Sequence, residues 1–84
     1  MTAPSVGRMV RVIGPVAEAN GADEAPAIIT RVWSDTMVNV TVFPDNADVR
    51  RATSVRLFET EAEAREHAAR TDYPMALAFW PARV

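Results

Sequence analysis

The sequence predicts a mainly β (α+β) fold: a small antiparallel five-stranded barrel, SH3-like or open, with one short helix before the last strand. Three observations predict it. Five stretches are rich in β-branched or aromatic residues and are bounded by Gly, Pro, Asn or Asp. One capping box opens one run of helix formers, and that run lies between the fourth and fifth stretches. Finally, 84 residues make one domain, residues 1–84, with a small core. Folding at that size buries roughly 60–65% of the extended chain's surface. At 49% hydrophobic and 24% charged residues, with the signs balanced, the chain is not a disordered tail.

The first strand is expected over residues 6–13, ending at Gly14-Pro15. Alternation puts Val6, Arg8, Val10 and Val12 on one face and Met9, Arg11 and Ile13 on the other, so both faces are partly apolar. Residues 14–25 carry Gly, Pro, Asn and acidic side chains and are expected to form a flexible loop. The second strand, 27–33, sets Ala27, Ile29, Arg31 and Trp33 opposite Ile28, Thr30 and Val32. Ser34-Asp35-Thr36 makes a hairpin connection. In the third strand, Met37 to Phe43, Val38, Val40 and Val42 form a strict core face, with Met37, Asn39, Thr41 and Phe43 opposite. Pro44 to Asp48 is a turn, and a fourth strand follows at 49–58 with Thr53, Val55 and Leu57 on one face.

Thr60-Glu61-Ala62-Glu63 is the capping box, and Glu61–Arg65 and Glu66–Arg70 are i,i+4 pairs with the acid first. They predict a helix over 61–70 that shows only alanines on its apolar side and so lies at the surface; Thr71-Asp72 and Tyr73-Pro74 end it. The last strand, Met75 to Trp80, alternates Met75, Leu77 and Phe79 with Ala76, Ala78 and Trp80, and Pro81 stops it.

Nine basic residues, all arginine, face eleven acidic ones for a net charge of −2, which argues against binding to a DNA or RNA polymer. There is no cysteine, which excludes disulfides, zinc ribbons and thiol catalysis. A small core without a covalent staple points to oligomerisation as a source of stability. No apolar run approaches the ~20 residues of a membrane span. Met1 to Ser5 lacks the blocks of a signal peptide, so the chain is expected to be intracellular and soluble.

Chemistry-bearing residues are few. His67 is the only histidine and reads as a solvated helix residue facing Glu63, without a nucleophile or orienting partner. The acids lie scattered without calcium-loop spacing, Gly7, Gly14 and Gly21 are isolated, and no base accompanies Ser5, Ser34 or Ser54. The chain is therefore expected to be neither an enzyme nor a metal or cofactor protein. Binding is better supported. Arg31 beside Trp33, and Asn39 and Thr41 beside Phe43, combine aromatic planes, a guanidinium, an amide and a hydroxyl. Such a face has the ingredients to stack a base and hold a phosphate, and equally to form a polar-rimmed subunit interface.

Taken in order, the motifs run Val6-Gly7-Arg8-Met9-Val10, Ala27 to Trp33, Val38-Asn39-Val40-Thr41-Val42-Phe43-Pro44-Asp45, Thr53-Ser54-Val55 and Phe79-Trp80-Pro81. This pattern resembles a widespread group of small tailed-phage and prophage proteins with a Gly-Arg-x-Val strand, a Val-Asn-x-x-Val-Phe strand, a Thr-Ser-Val and a terminal Trp-Pro. Relatives commonly end in Trp-x-Trp-Pro, whereas this chain has Ala78-Phe79-Trp80-Pro81. In size and phage distribution the group is similar to the viral sponge proteins of the fourth anti-CBASS type. Those form tetramers that sequester cyclic dinucleotides such as cyclic GMP–AMP between subunits, in the cytoplasm of the infected bacterial host. The resemblance implies a homo-oligomer, dimer or tetramer. It implies polar ligand contacts from Arg8, Arg31, Asn39, Thr41 and Ser54, with Trp33, Phe43 and Trp80 stacking on bases or walling the pocket. A phage virion or assembly component, and a small β-module that binds a host protein through an exposed strand edge, are the competing expectations.

Overall fold

A computed structural model describes residues 2–71 and 75–82. Its elements are β1 (Met9–Ile13), a 3-10 turn (Pro15–Ala17), β2 (Glu24–Ser34), β3 (Met37–Val42), β4 (Arg50–Phe58), α1 (Glu61–Ala69) and β5 (Leu77–Phe79). The strands close into a barrel in the order β1-β2-β3-β4-β5, the mainly β barrel with one helix before its last strand that the pattern predicts. Two details differ from a wholly antiparallel, open sheet. β5 runs parallel to β4, because α1 carries the chain back across the barrel end before β5 begins. β5 also pairs antiparallel with β1, which closes the sheet. No described helix is long and apolar enough to cross a membrane.

The inward face is the alternating set read from the sequence. Val10, Val12, Val38, Val40, Val42, Val55 and Leu57 are buried in one cluster with Ala25, Ala27 and Ile29. A second cluster, Ile13, Ala64, Leu77 and Phe79 with Phe58 packed against it, sits between the barrel wall and α1. The helix is therefore not a bare surface element. Ala64 is fully buried because a methyl group is small enough to bring the helix axis close to β5. Both faces of β5 are buried in consequence, Ala78 and Trp80 inward and Leu77 and Phe79 under the helix. β1 is covered on both sides only at Ile13; Met9 and Arg11 are exposed. His67 is half-buried and tilts its ring on Phe58, with centroids 5.3 Å apart, instead of facing Glu63 in solvent.

The Thr60 hydroxyl accepts the Glu63 N–H at 3.3 Å and donates to the Glu63 carboxylate at 3.0 Å, a capping box closed through the hydroxyl. Both helical ion pairs form, Glu61–Arg65 at 2.7 Å and Glu66–Arg70 at 3.2 Å. The expected stop at Asp72-Tyr73-Pro74 lies outside the described residues.

Segment 14–25 is not the free loop its composition suggests. β2 starts at Glu24, because residues 24–28 pair with β1. Ahead of it, Ala17 is buried and Arg50 donates to the Pro15, Val16 and Glu18 carbonyls at 3.1–3.3 Å. Arg65 reaches Asp23 at 3.2 Å and Glu24 at 3.5 Å, tying the segment to α1. Its guanidinium is held above the ordinary arginine range, first by the Glu61 hydrogen bond and then by Asp23. At the other end of the helix entry, the Glu59 carboxylate lies below its ordinary range, chiefly through the Thr2 hydroxyl hydrogen bond at 2.8 Å.

Candidate functional site

The outer face of β2, β3 and β4 gathers most of the residues singled out in the sequence, and three register shifts, two in β2 and one in β4, place them there. In β2 the register shifts between Ile29 and Arg31, so that Arg31 pairs with Asn39. Uninterrupted alternation would put Arg31 and Trp33 on the face of Ala27 and Ile29. The extra residue turns both outward instead, while Val32 returns to the core. In β4 Val55 pairs with Val38 and Ala52 with Val40, leaving Thr53 and Ser54 opposite Asn39 alone. This bulge breaks the alternation that grouped Thr53 with Val55 and Leu57: Thr53 is exposed. Ser54 takes φ +54°, a left-handed conformation uncommon outside glycine.

Asn39 ties the irregular stretches of β2 and β4 together. Its Oδ1 accepts from Trp33 Nε1 at 2.8 Å, from the Ser54 N–H at 2.8 Å and from the Thr53 hydroxyl at 3.0 Å. The Val-Asn and Thr-Ser-Val motifs thus meet at one oxygen. With its N–H engaged, the Trp33 ring stays half-exposed, and the Arg31 guanidinium lies 3.9 Å from the ring centroid. That distance is a stacked cation–π contact.

Beside this knot lies an open hollow of about 410 Å³ lined by Thr30, Asn39, Val40, Thr41, Arg51, Ala52 and Thr53. Thr41 pairs across to Arg51, which brings that arginine to the rim. Four other hollows on the described surface each contain a carboxylate: Glu59 and Glu61, then Asp35, Glu59 and Glu63, then Glu18, then Glu18 and Asp23. The Thr30–Arg51 hollow contains none. Arg51 makes no ion pair among the described residues, and neither do Arg31, Arg8 and Arg56. In a chain with net charge −2, this hollow is locally cationic and rich in hydrogen-bond donors. Comparison with known proteins found no matching family model, no similar curated protein and no similar solved structure. The site is therefore read from its own geometry.

The structure divides the expected site residues. Arg31, Trp33, Asn39, Thr41 and Ser54 share the β2–β3–β4 face. Ser54 contributes its backbone N–H to the Asn39 clamp. Phe43 lies on the same outer side, one step beyond Thr41, where its N–H donates to the Pro26 carbonyl at 3.0 Å. Arg8 and Trp80 form a separate pair, with the guanidinium 5.1 Å from the indole centroid. Gly7, at φ +92°, turns the chain into that position, so the Gly-Arg and Trp-Pro motifs also meet. Trp80 is 8% exposed, and its ring belongs to the core more than to any open stacking surface. Thr30, Arg51 and Thr53 were missing from the sequence-derived set. Only the cross-strand register could have found them, since nothing local distinguishes Arg51 from Arg50.

Proposed function

We propose that the protein binds an anionic nucleotide of the cyclic oligonucleotide class without cleaving it, acting as a sponge. The observation that carries this reading is the carboxylate-free hollow with Arg51 at its rim and the Arg31–Trp33 stack beside it. A cyclic dinucleotide carries two negative charges and two flat bases. Guanidinium groups without carboxylate partners match the phosphates, and an exposed aromatic–guanidinium stack offers a base a plane. The hollow's volume falls within the range of small-molecule sites. The phage setting and the host cytoplasm come from the motif resemblance alone.

The working unit under this reading is a homo-oligomer. Met9, Phe43 and Val49 are 51%, 38% and 56% exposed on the outer side of the barrel, and Ile28 pairs directly with Met9. Asp45 and Asp48 lie in the turn between Phe43 and Val49, and Arg51 follows two residues on. Exposed apolar side chains bordered by both acids and an arginine can meet a second copy of themselves about a two-fold axis. Ile28 and Arg51 both pair with Thr41, so a second copy seated on the strip would also wall the hollow. Host-protein capture by strand addition has less to use, since every described strand already has two neighbours.

Thermal melting with a panel of cyclic di- and trinucleotides tests the reading. Ligand at 100-fold above its dissociation constant adds about 2.7 kcal/mol, a rise of roughly ten degrees or more for a domain this size. Arg31→Ala and Arg51→Ala are each expected to reduce the shift while leaving the ligand-free melting point nearly unchanged. No shift with any member of the panel would overturn the proposal.

A further inference from the structure

The Asn39 amide is held in one orientation. Trp33 Nε1–H and the Ser54 N–H can only donate, and both reach the same side-chain atom, which must therefore be the oxygen. With the Thr53 hydroxyl, that oxygen takes three donors. What Asn39 has left for the hollow is its Nδ2, whose hydrogens have no partner among the described residues. Arg51, across the same hollow, also has donors only. The Thr30 and Thr41 hydroxyls rotate and serve donor or acceptor alike, so they do not discriminate. The two fixed groups do.

Resting on the nucleotide reading above, we infer that this hollow selects guanine over adenine, with Asn39 Nδ2 and Arg51 as the specificity-determining donors. Guanine presents two acceptors, O6 and N7, on one edge. Adenine presents one acceptor and one donor there, so its amino group meets a donor that the Asn39 clamp forbids to turn over. An asparagine free to flip would present its oxygen and accept adenine equally well. The lock, not the residue type, makes the choice.

Isothermal titration of the full chain with cyclic di-GMP and cyclic di-AMP at one ionic strength reads the ratio directly. Cyclic di-GMP is expected to bind at least about tenfold more tightly. Asn39→Asp keeps an oxygen for the three donors but replaces the Nδ2 donors with a charged acceptor, so its melting point should hold, both anionic ligands should bind more weakly, and the ratio should fall to about one or below. Arg51→Gln, a change at an exposed residue, is the second variant and is expected to narrow the ratio without touching the clamp. Measurable but equal binding of both ligands by the unmodified protein, or a ratio unchanged in both variants, overturns the guanine assignment and leaves the nucleotide reading standing. No binding of either ligand overturns the guanine assignment, and the nucleotide reading falls with it when the wider panel of cyclic di- and trinucleotides gives no melting shift either.

Discussion

Asn39 shows how one side chain settles the geometry of three strands. It sits on β3, reaches the tryptophan in the second register shift of β2, and fills the gap left by the extra residue of β4. Ser54 bears the conformational consequence. Its φ of +54° costs an L-residue with a side chain about 1 kcal/mol relative to glycine, and its backbone N–H rather than its hydroxyl makes the Asn39 contact. Ser54→Gly should therefore raise the melting point by several degrees and preserve the clamp, which differential scanning calorimetry and Trp33 fluorescence would report together. A fall in melting point would mean that the Ser54 side chain contributes something the hydrogen bonds do not record.

At the scale of elements, the barrel is closed at one end by pieces that the sequence made look loose. The 3-10 turn is held by Arg50 Nη1, and the approach to β2 by Arg65 from the helix. Gly14 opens this segment at φ +115°, and a Cβ there would collide with the Met75 carbonyl oxygen. Backbone on both sides leaves nothing flexible to yield. Gly14→Ala is expected to destabilise the fold by about 2 kcal/mol or more, measured as a lowered denaturant midpoint with an unchanged slope. A neutral result would show that the turn and the chain before β5 move apart easily. The Arg65 pairs with Asp23 and Glu24 are exposed enough to be screened by salt, so they guide this packing more than they stabilise it.

Over the whole molecule, the outer surface is unevenly divided. Carboxylates occupy the hollows around the helix and the 14–25 segment, whereas the β2–β3–β4 face carries arginines, threonines and apolar side chains. That division is what a slightly acidic protein needs if it is to take an anion at one place and join a second copy nearby. Phe43→Glu, which puts a charge in the middle of the apolar strip, is expected to shift light-scattering mass toward the monomer without lowering the folded fraction. An unmodified protein that is already monomeric at micromolar concentration would remove the strip from the functional argument.

Much of this was legible from residues 37–43 alone. Val38, Val40 and Val42 must face inward because period-two burial admits no other arrangement, and the Asn39–Thr41–Phe43 face follows from it. The capping box and the paired charges of 61–70 likewise determine a helix locally, because every partner lies within one turn. Bulges, closure and long-range tethers are not local. Whether Arg31 points in or out depends on one extra residue in β2 measured against β3, and Arg51 reaches the hollow only through its pairing with Thr41. Arg50 closes the barrel end because residues more than thirty positions away expose their carbonyls to it. The sequence by itself determined the strands, the helix and the inward set, since hydrophobic period and capping act over a few residues. Tertiary structure alone decided which arginines lack acids and which polar atoms converge, since those depend on register between strands.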